Sequence, residues 1–157
     1  MRKPIVYLAS PLFSEAERQF NRLLRDALQE CWEVFLPQES GYLLADLVAE
    51  GIPDPIAARR VFDADVAAIE ASDLVVVVLD GRAVDEGAAF ELGYAWARGI
   101  ACVGLQTDPR RLLPFGNNPM LSVPLRTVFD STSELCAWMA SDGVSAARDR
   151  GAMSNDV

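Results

Sequence analysis

The 157-residue sequence contains no histidine and a single lysine, Lys3. Without imidazole, every His-based catalytic triad and every His-ligated metal motif is excluded, and acid–base work falls to Asp, Glu, Tyr or Cys. Positive charge is scarce throughout: the net charge is −9 at pH 7, the wrong sign for a protein that must displace counterions from a nucleic-acid polymer. A small neutral ligand imposes no such demand. No apolar run exceeds six residues, against the roughly 20 that a membrane helix needs, so no membrane span is expected. The basic start at Arg2 and Lys3 leads into an apolar stretch that Ser10 and Pro11 interrupt, so a secretory signal is not expected either. Cys31, Cys102 and Cys136 are odd in number, widely spaced and form no CxxC. They read as buried free thiols in a reducing cytoplasm, with neither a disulfide frame nor a zinc site.

What is present is ample apolar content, 51% of residues, enough for one domain around one interior. Residues 4–9 form a β-rich run. Residues 14–31 follow with helical spacing through Phe20, Leu23, Leu24 and Leu28, opened by a Ser14-x-x-Glu17 capping box. Residues 34–36 read as a second short strand stopped by Pro37. Residues 38–55 read as a long functional loop that carries an amphipathic helix over residues 42–50. A helix over residues 56–71 leads into residues 73–80, whose unalternating apolar run predicts a parallel strand covered on both faces. A helix over residues 86–98, ended by Gly99, a strand over 101–105, a Pro- and Asn-rich loop over 107–124, a strand over 126–129 and a helix over 131–140 complete the domain. The expected domain spans residues 1–142, and the small, polar residues 143–157 read as a flexible tail. Alternating β and α elements predict an α/β, flavodoxin-like doubly wound sheet of five mainly parallel strands in the order 2-1-3-4-5, with helices on both faces. Ligands of such sheets sit beyond the carboxyl ends of the first and third strands, so residues 10–13 and 80–86 are the loops to search.

Glu91 is the most informative residue there, as the only charged side chain among residues 87–97. An ionised carboxylate in so apolar a helix either keeps to a solvated edge or demands partners and a raised pKa. Asp85 reads equally as a helix N-cap or a ligand contact. Asp80, ahead of Gly81, reads as a turn residue. Asp65, beside Asp63, sits by default on a solvated helix face. Tyr7 is either a core tyrosine or a strand hydroxyl that holds a carboxylate. Phe13 is either core or an aromatic platform, and Asn118 and Met120 lie in a Pro-flanked loop where Asn ordinarily turns the chain.

The elements Tyr7-Leu8-Ala9-Ser10-Pro11-Leu12-Phe13-Ser14, Leu36-Pro37-Gln38, Asp85-Glu86-Gly87-Ala88-Ala89-Phe90-Glu91-Leu92-Gly93-Tyr94-Ala95 and Asn118-Pro119-Met120-Leu121 together resemble the nucleoside 2-deoxyribosyltransferase family. The resemblance runs from residue 4 to about residue 130. It implies transfer of 2-deoxyribose between bases through a covalent ester on Glu91, a retaining double displacement, with no metal and no cofactor. It implies that Tyr7 orients Glu91, Asp65 protonates the leaving base, Asp85 meets the sugar hydroxyls, and Gln38 and Phe13 lie against the base. Asn118 and Met120 would come from a neighbouring subunit, which implies a homo-oligomer, a dimer or a hexamer built from dimers. The substrates would be 2′-deoxynucleosides and free nucleobases.

Two features depart from the family pattern. The chain ends in Ser154-Asn155-Asp156-Val157, whereas some members place an aromatic residue and its terminal carboxylate in the adjoining site. Asp85 and Asn118 suit a neutral 5′-hydroxyl better than the phosphate that a related hydrolytic branch accepts. The alternatives are hydrolysis of a deoxynucleoside or its 5′-monophosphate with water as acceptor, and a non-catalytic nucleotide-binding or phosphoacceptor module. The phosphoacceptor version lacks an acidic pair after the first strand and a lysine after the last, and a flavin would lack its phosphate cradle.

Overall fold

The computed structural model describes residues 2–110 and 116–148. Five strands, β1 (Ile5–Ala9), β2 (Glu33–Phe35), β3 (Leu74–Val78), β4 (Ala101–Leu105) and β5 (Val128–Phe129), form one sheet in the order β2-β1-β3-β4-β5. All four pairings are parallel. The doubly wound order predicted from the alternation of elements is the one observed.

Eight helices are described: α1 (Glu15–Leu28), α2 (Pro37–Ser40), α3 (Leu44–Ala49), α4 (Asp54–Ala71), α5 (Glu86–Ala97), α6 (Pro119–Ser122), α7 (Thr132–Ser141) and α8 (Gly143–Arg148). The period-2 alternation of strand side chains divides the interior in two. Val6, Leu8, Leu74 and Val76 pack with Leu24 and Leu28 of α1 and Leu135 and Met139 of α7. Tyr7, Ala9, Val75 and Val77 pack on the other face with Ile69 of α4 and Ala88, Leu92 and Ala95 of α5. Every residue of β3 and β4 is buried, as strands covered on both faces must be. The predicted capping box of α1 is present, with Ser14 and Glu17 each holding the other's backbone.

Three expectations need correction. The segment read as a loop with one helix contains two short helices, α2 and α3. Of the cysteines, Cys102 is buried and Cys136 partly so, but Cys31 is exposed, because α1 ends at Leu28 ahead of it. The tail expected from residue 143 begins instead as α8. Its lack of large apolar residues suggested disorder, yet small residues are what allow it to dock. A Cβ on Gly143 would lie 3.1 Å from Cζ2 of Trp32, Ala147 is 2% exposed, and Arg126 Nη1 donates to the Ala146 carbonyl at 2.9 Å. The C-terminal residues 154–157 lie outside the described residues. No described helix is long and apolar enough to cross a membrane.

Candidate active site

Beyond the carboxyl ends of β1 and β3 lies a cleft of about 950 Å³, lined by Ser10, Leu12 and Phe13 of the β1–α1 loop, by Tyr42, Leu44 and Val48 of the α2–α3 region, and by Asp65, Asp85 and Glu91. It occupies the place that the topology assigns to ligands. Its walls are mostly apolar, and four carboxylates line it: those three and Asp54 at the start of α4.

Tyr7 anchors the arrangement. It is fully buried in the middle of β1, its ring stacks on Phe35 at 5.4 Å and 10°, and its hydroxyl donates to Glu91 Oε1 at 2.5 Å. Burial, then the nearby Glu91 and Asp65 charges, raise the tyrosine pKa far above its ordinary value, so the hydroxyl remains a donor. Glu91 Oε2 accepts no hydrogen bond among the described residues. Burial pushes the Glu91 carboxyl up to about 8; the Tyr7 hydrogen bond opposes that shift, and the charges of Asp65 and Asp85 add to it. Of the two readings open for Glu91, the solvated edge is not the one observed.

Asp65 projects from the middle of α4. Its Oδ1 is buried with no hydrogen-bond partner among the described residues, and burial lifts its pKa to about 6. Gly41 closes over the same atom: a Cβ there would lie 3.2 Å from Asp65 Oδ1 and 2.9 Å from the Pro37 carbonyl oxygen. Asp85 fills both roles open to it, capping α5 through Oδ2 on the Ala88 N–H at 2.9 Å while lining the cleft. Phe13, 74% exposed, belongs to the cleft wall and not to the core.

The remaining candidates sit elsewhere in this chain. Gln38 is not among the described residues that line the cleft; its Oε1 accepts from Asn21 at 2.9 Å and its Nε2 donates to the Arg18 carbonyl at 3.1 Å. Asn118 caps α6 through the Met120 N–H and borders a separate cavity of about 200 Å³. Met120 is 80% exposed. Neither is among the described residues that line the Glu91 cleft. Among the described residues no three acidic, histidine or cysteine side chains converge to hold a metal ion. Sequence reading missed Gly41, whose role depends on an approach between α2 and α4, and the apolar wall from α3, which the amphipathic pattern over residues 42–50 had signalled without direction.

The sequence profile of the nucleoside 2-deoxyribosyltransferase family matches residues 6–154, nearly the whole chain. The chain belongs to the nucleoside 2-deoxyribosyltransferase family. Membership makes it a glycosyl-transferring enzyme with nucleosides and nucleobases as its substrate class. Solved structures carry the same fold. A conserved protein from Enterococcus faecalis V583 is 25% identical, with a TM-score of 0.65 over 87% of this chain and 96% of that one. The 2-deoxyribosyltransferase of Bacillus psychrosaccharolyticus is 22% identical, with a TM-score of 0.66 over 83% and 89%. The CMP N-glycosidase of Clostridium botulinum is 19% identical, with a TM-score of 0.52 over 86% and 97%. Comparison with curated protein sequences yields no match.

Proposed function

We propose that the enzyme moves 2-deoxyribose from one nucleobase to another through an ester on Glu91. The observation that carries this reading is the 2.5 Å hydrogen bond from Tyr7 to Glu91 Oε1, which fixes one carboxylate oxygen and leaves the other unbonded at the cleft. That oxygen attacks C1′ as the N-glycosidic bond breaks, and the departing base takes its electron pair and a proton from Asp65. The incoming base then attacks C1′, the ester bond breaks, Glu91 regains its charge, and Asp65 recovers a proton from the new base. An oxocarbenium-like transition state is stabilised by the adjacent carboxylates. Asp65 suits the acid role because burial keeps it protonated to about pH 6.

The geometry favours a neutral nucleoside over its 5′-monophosphate. Anions bind at helix N-termini through free N–H groups, and carboxylates already sit at the starts of α1 and α5, two of the helices that border this cleft. Glu17 Oε2 accepts from Phe13 N at 3.0 Å and Ser14 N at 2.7 Å, and Asp85 occupies the start of α5. Arg18, the only basic side chain among the described lining residues, spends its guanidinium on the Leu12 and Phe13 carbonyls and on Glu15. Four carboxylates against one already engaged arginine along the lining disfavour a 5′-phosphate. Exposed Met120, at the end of a capped turn, is in keeping with a homo-oligomer whose subunits complete one another's sites.

The test is incubation with thymidine or deoxyinosine, with and without adenine, followed by chromatographic separation. Deoxyadenosine is expected, and Glu91→Ala should abolish it. Free base alone would replace transfer with hydrolysis, and a Glu91→Ala variant at wild-type rate would refute the covalent mechanism.

A further inference from the structure

We infer that Asn21, from inside α1, is a positioning residue for this site, fastening the Pro11 carbonyl, in the loop that forms one cleft wall, to the Gln38 amide of α2, next to the other wall; the inference rests on the sugar-transfer reading above. Asn21 is 1% exposed and shares the buried face of α1 with Leu24 and Leu28. A primary amide among leucines costs stability unless its hydrogen bonds are made. Asn21 uses both of its donors across the fold: Nδ2 donates to the Pro11 carbonyl at 2.8 Å and to Gln38 Oε1 at 2.9 Å. Gln38 Nε2 returns to α1 at the Arg18 carbonyl, and the Arg18 guanidinium takes the Leu12 and Phe13 carbonyls. Three successive carbonyls of the β1–α1 loop are thus held by side chains of one helix.

The consequence reaches both sides of the cleft. Leu12 and Phe13 form one wall. Gln38 lies in α2, whose Pro37 lines the cleft and whose end at Gly41 abuts Asp65 Oδ1. Asn21 therefore ties the spacing of the aromatic wall to that of the acid. The family resemblance sets Gln38 against the base. Here its carbonyl oxygen is consumed by Asn21 and its amide nitrogen is engaged by α1, so Gln38 acts through the clasp.

The experiment compares Asn21→Leu, Gln38→Met and the double variant in the full-length chain. KM and kcat for transfer from thymidine to adenine are measured together with thermal unfolding and backbone amide hydrogen exchange. If the clasp works as a unit, each single variant raises the thymidine KM about tenfold with kcat little changed, and the double variant is no worse than either single one. Exchange should quicken together over residues 10–14 and 38–41. Effects on KM that multiply in the double variant would overturn the inference, because Gln38 would then contact the base itself. An unchanged KM with a lowered melting temperature would overturn it too, leaving Asn21 a purely structural residue. If Asn21→Leu does not fold, the partly exposed Gln38→Met carries the test, since it must still release residues 10–14. Should the wild type transfer no sugar, the proposed function falls, and hydrogen exchange still decides the clasp: protection unchanged in either segment refutes it.

Discussion

Replacing Tyr7 with phenylalanine removes one oxygen atom and tests how the nucleophile is made. The ring keeps its stack on Phe35, so the fold is expected to survive. What disappears is the 2.5 Å hydrogen bond to Glu91 Oε1. A hydrogen bond to a charged group contributes about 1.5–3 kcal/mol. If that stabilisation belongs to the reactive, ionised carboxylate, its loss lowers kcat/KM about ten- to one-hundred-fold. The same bond holds down a carboxyl that already sits near 8. Its removal raises that value further, and the rising, acid-side limb of the pH–rate profile moves to higher pH. The assay is deoxyadenosine formation from thymidine and adenine across pH 5–10. The decisive signature is a rate deficit that narrows as pH rises, because alkali restores the ionised form. A Tyr7→Phe enzyme with the wild-type rate and an unmoved acid limb would refute the assignment of Tyr7 as the group that orients and ionises Glu91.

Two further outcomes follow from the same carboxylates. Glu91→Gln should abolish transfer yet stabilise the fold. In the folded protein the Glu91 pKa is raised from 4.5 to about 8, so its contribution to stability is fully present below pH 4.5 and is lost as pH climbs toward 8. At pH 7 the wild type has given up about 3 kcal/mol at most, and the amide escapes that loss; thermal unfolding should show a gain of several degrees at pH 7 that vanishes near pH 4. Asp65→Asn should cost about a hundredfold in transfer and abolish the fall in rate at alkaline pH, beyond the Glu91 ionisation at about 8, since the variant has no proton to lose. Removing the Asp65 charge also lowers the Glu91 pKa, so the acid limb should shift down in pH, opposite to the Tyr7→Phe shift.

The sheet and most helix boundaries are legible in the sequence because they rest on local patterns. The apolar block at residues 74–79 reads as a central strand from its length and run of valines, and Ser14 with Glu17 marks the start of α1 by capping chemistry. Glu91 stands out for a similar reason, as one charge in an apolar helix. Asp85 is legible both as a cap and, from its place in the loop after β3, as a cleft candidate; what the sequence does not show is that one side chain fills both roles. Gly41 and Asn21 carry no local signal: one matters for its distance from Asp65, the other for what lies beyond the end of its side chain. Gln38 is the instructive case, since its place in a motif suggests contact with a base while its amide is spent inside the protein. For α8, composition misleads because a helix can dock through Gly143 and Ala147 without any large apolar residue.

The position of Tyr7 in β1 divides the cleft by mobility. Central strands open only when the whole molecule unfolds, whereas short, exposed elements open at far smaller free-energy cost. The hydroxyl that aims the nucleophile belongs to the first class: β1 is paired on both sides, and Tyr7 is fully buried. The wall formed by α3 belongs to the second, with Leu44 and Val48 each more than 40% exposed. In the proposed mechanism, bond cleavage thus rests on the least deformable part of the molecule, while the α3 wall of the cleft, as the place where the base is accommodated, would be one of its softest. On heating, the range of bases accepted should broaden before the capacity to cut the glycosidic bond is lost, and that capacity should disappear only together with the sheet.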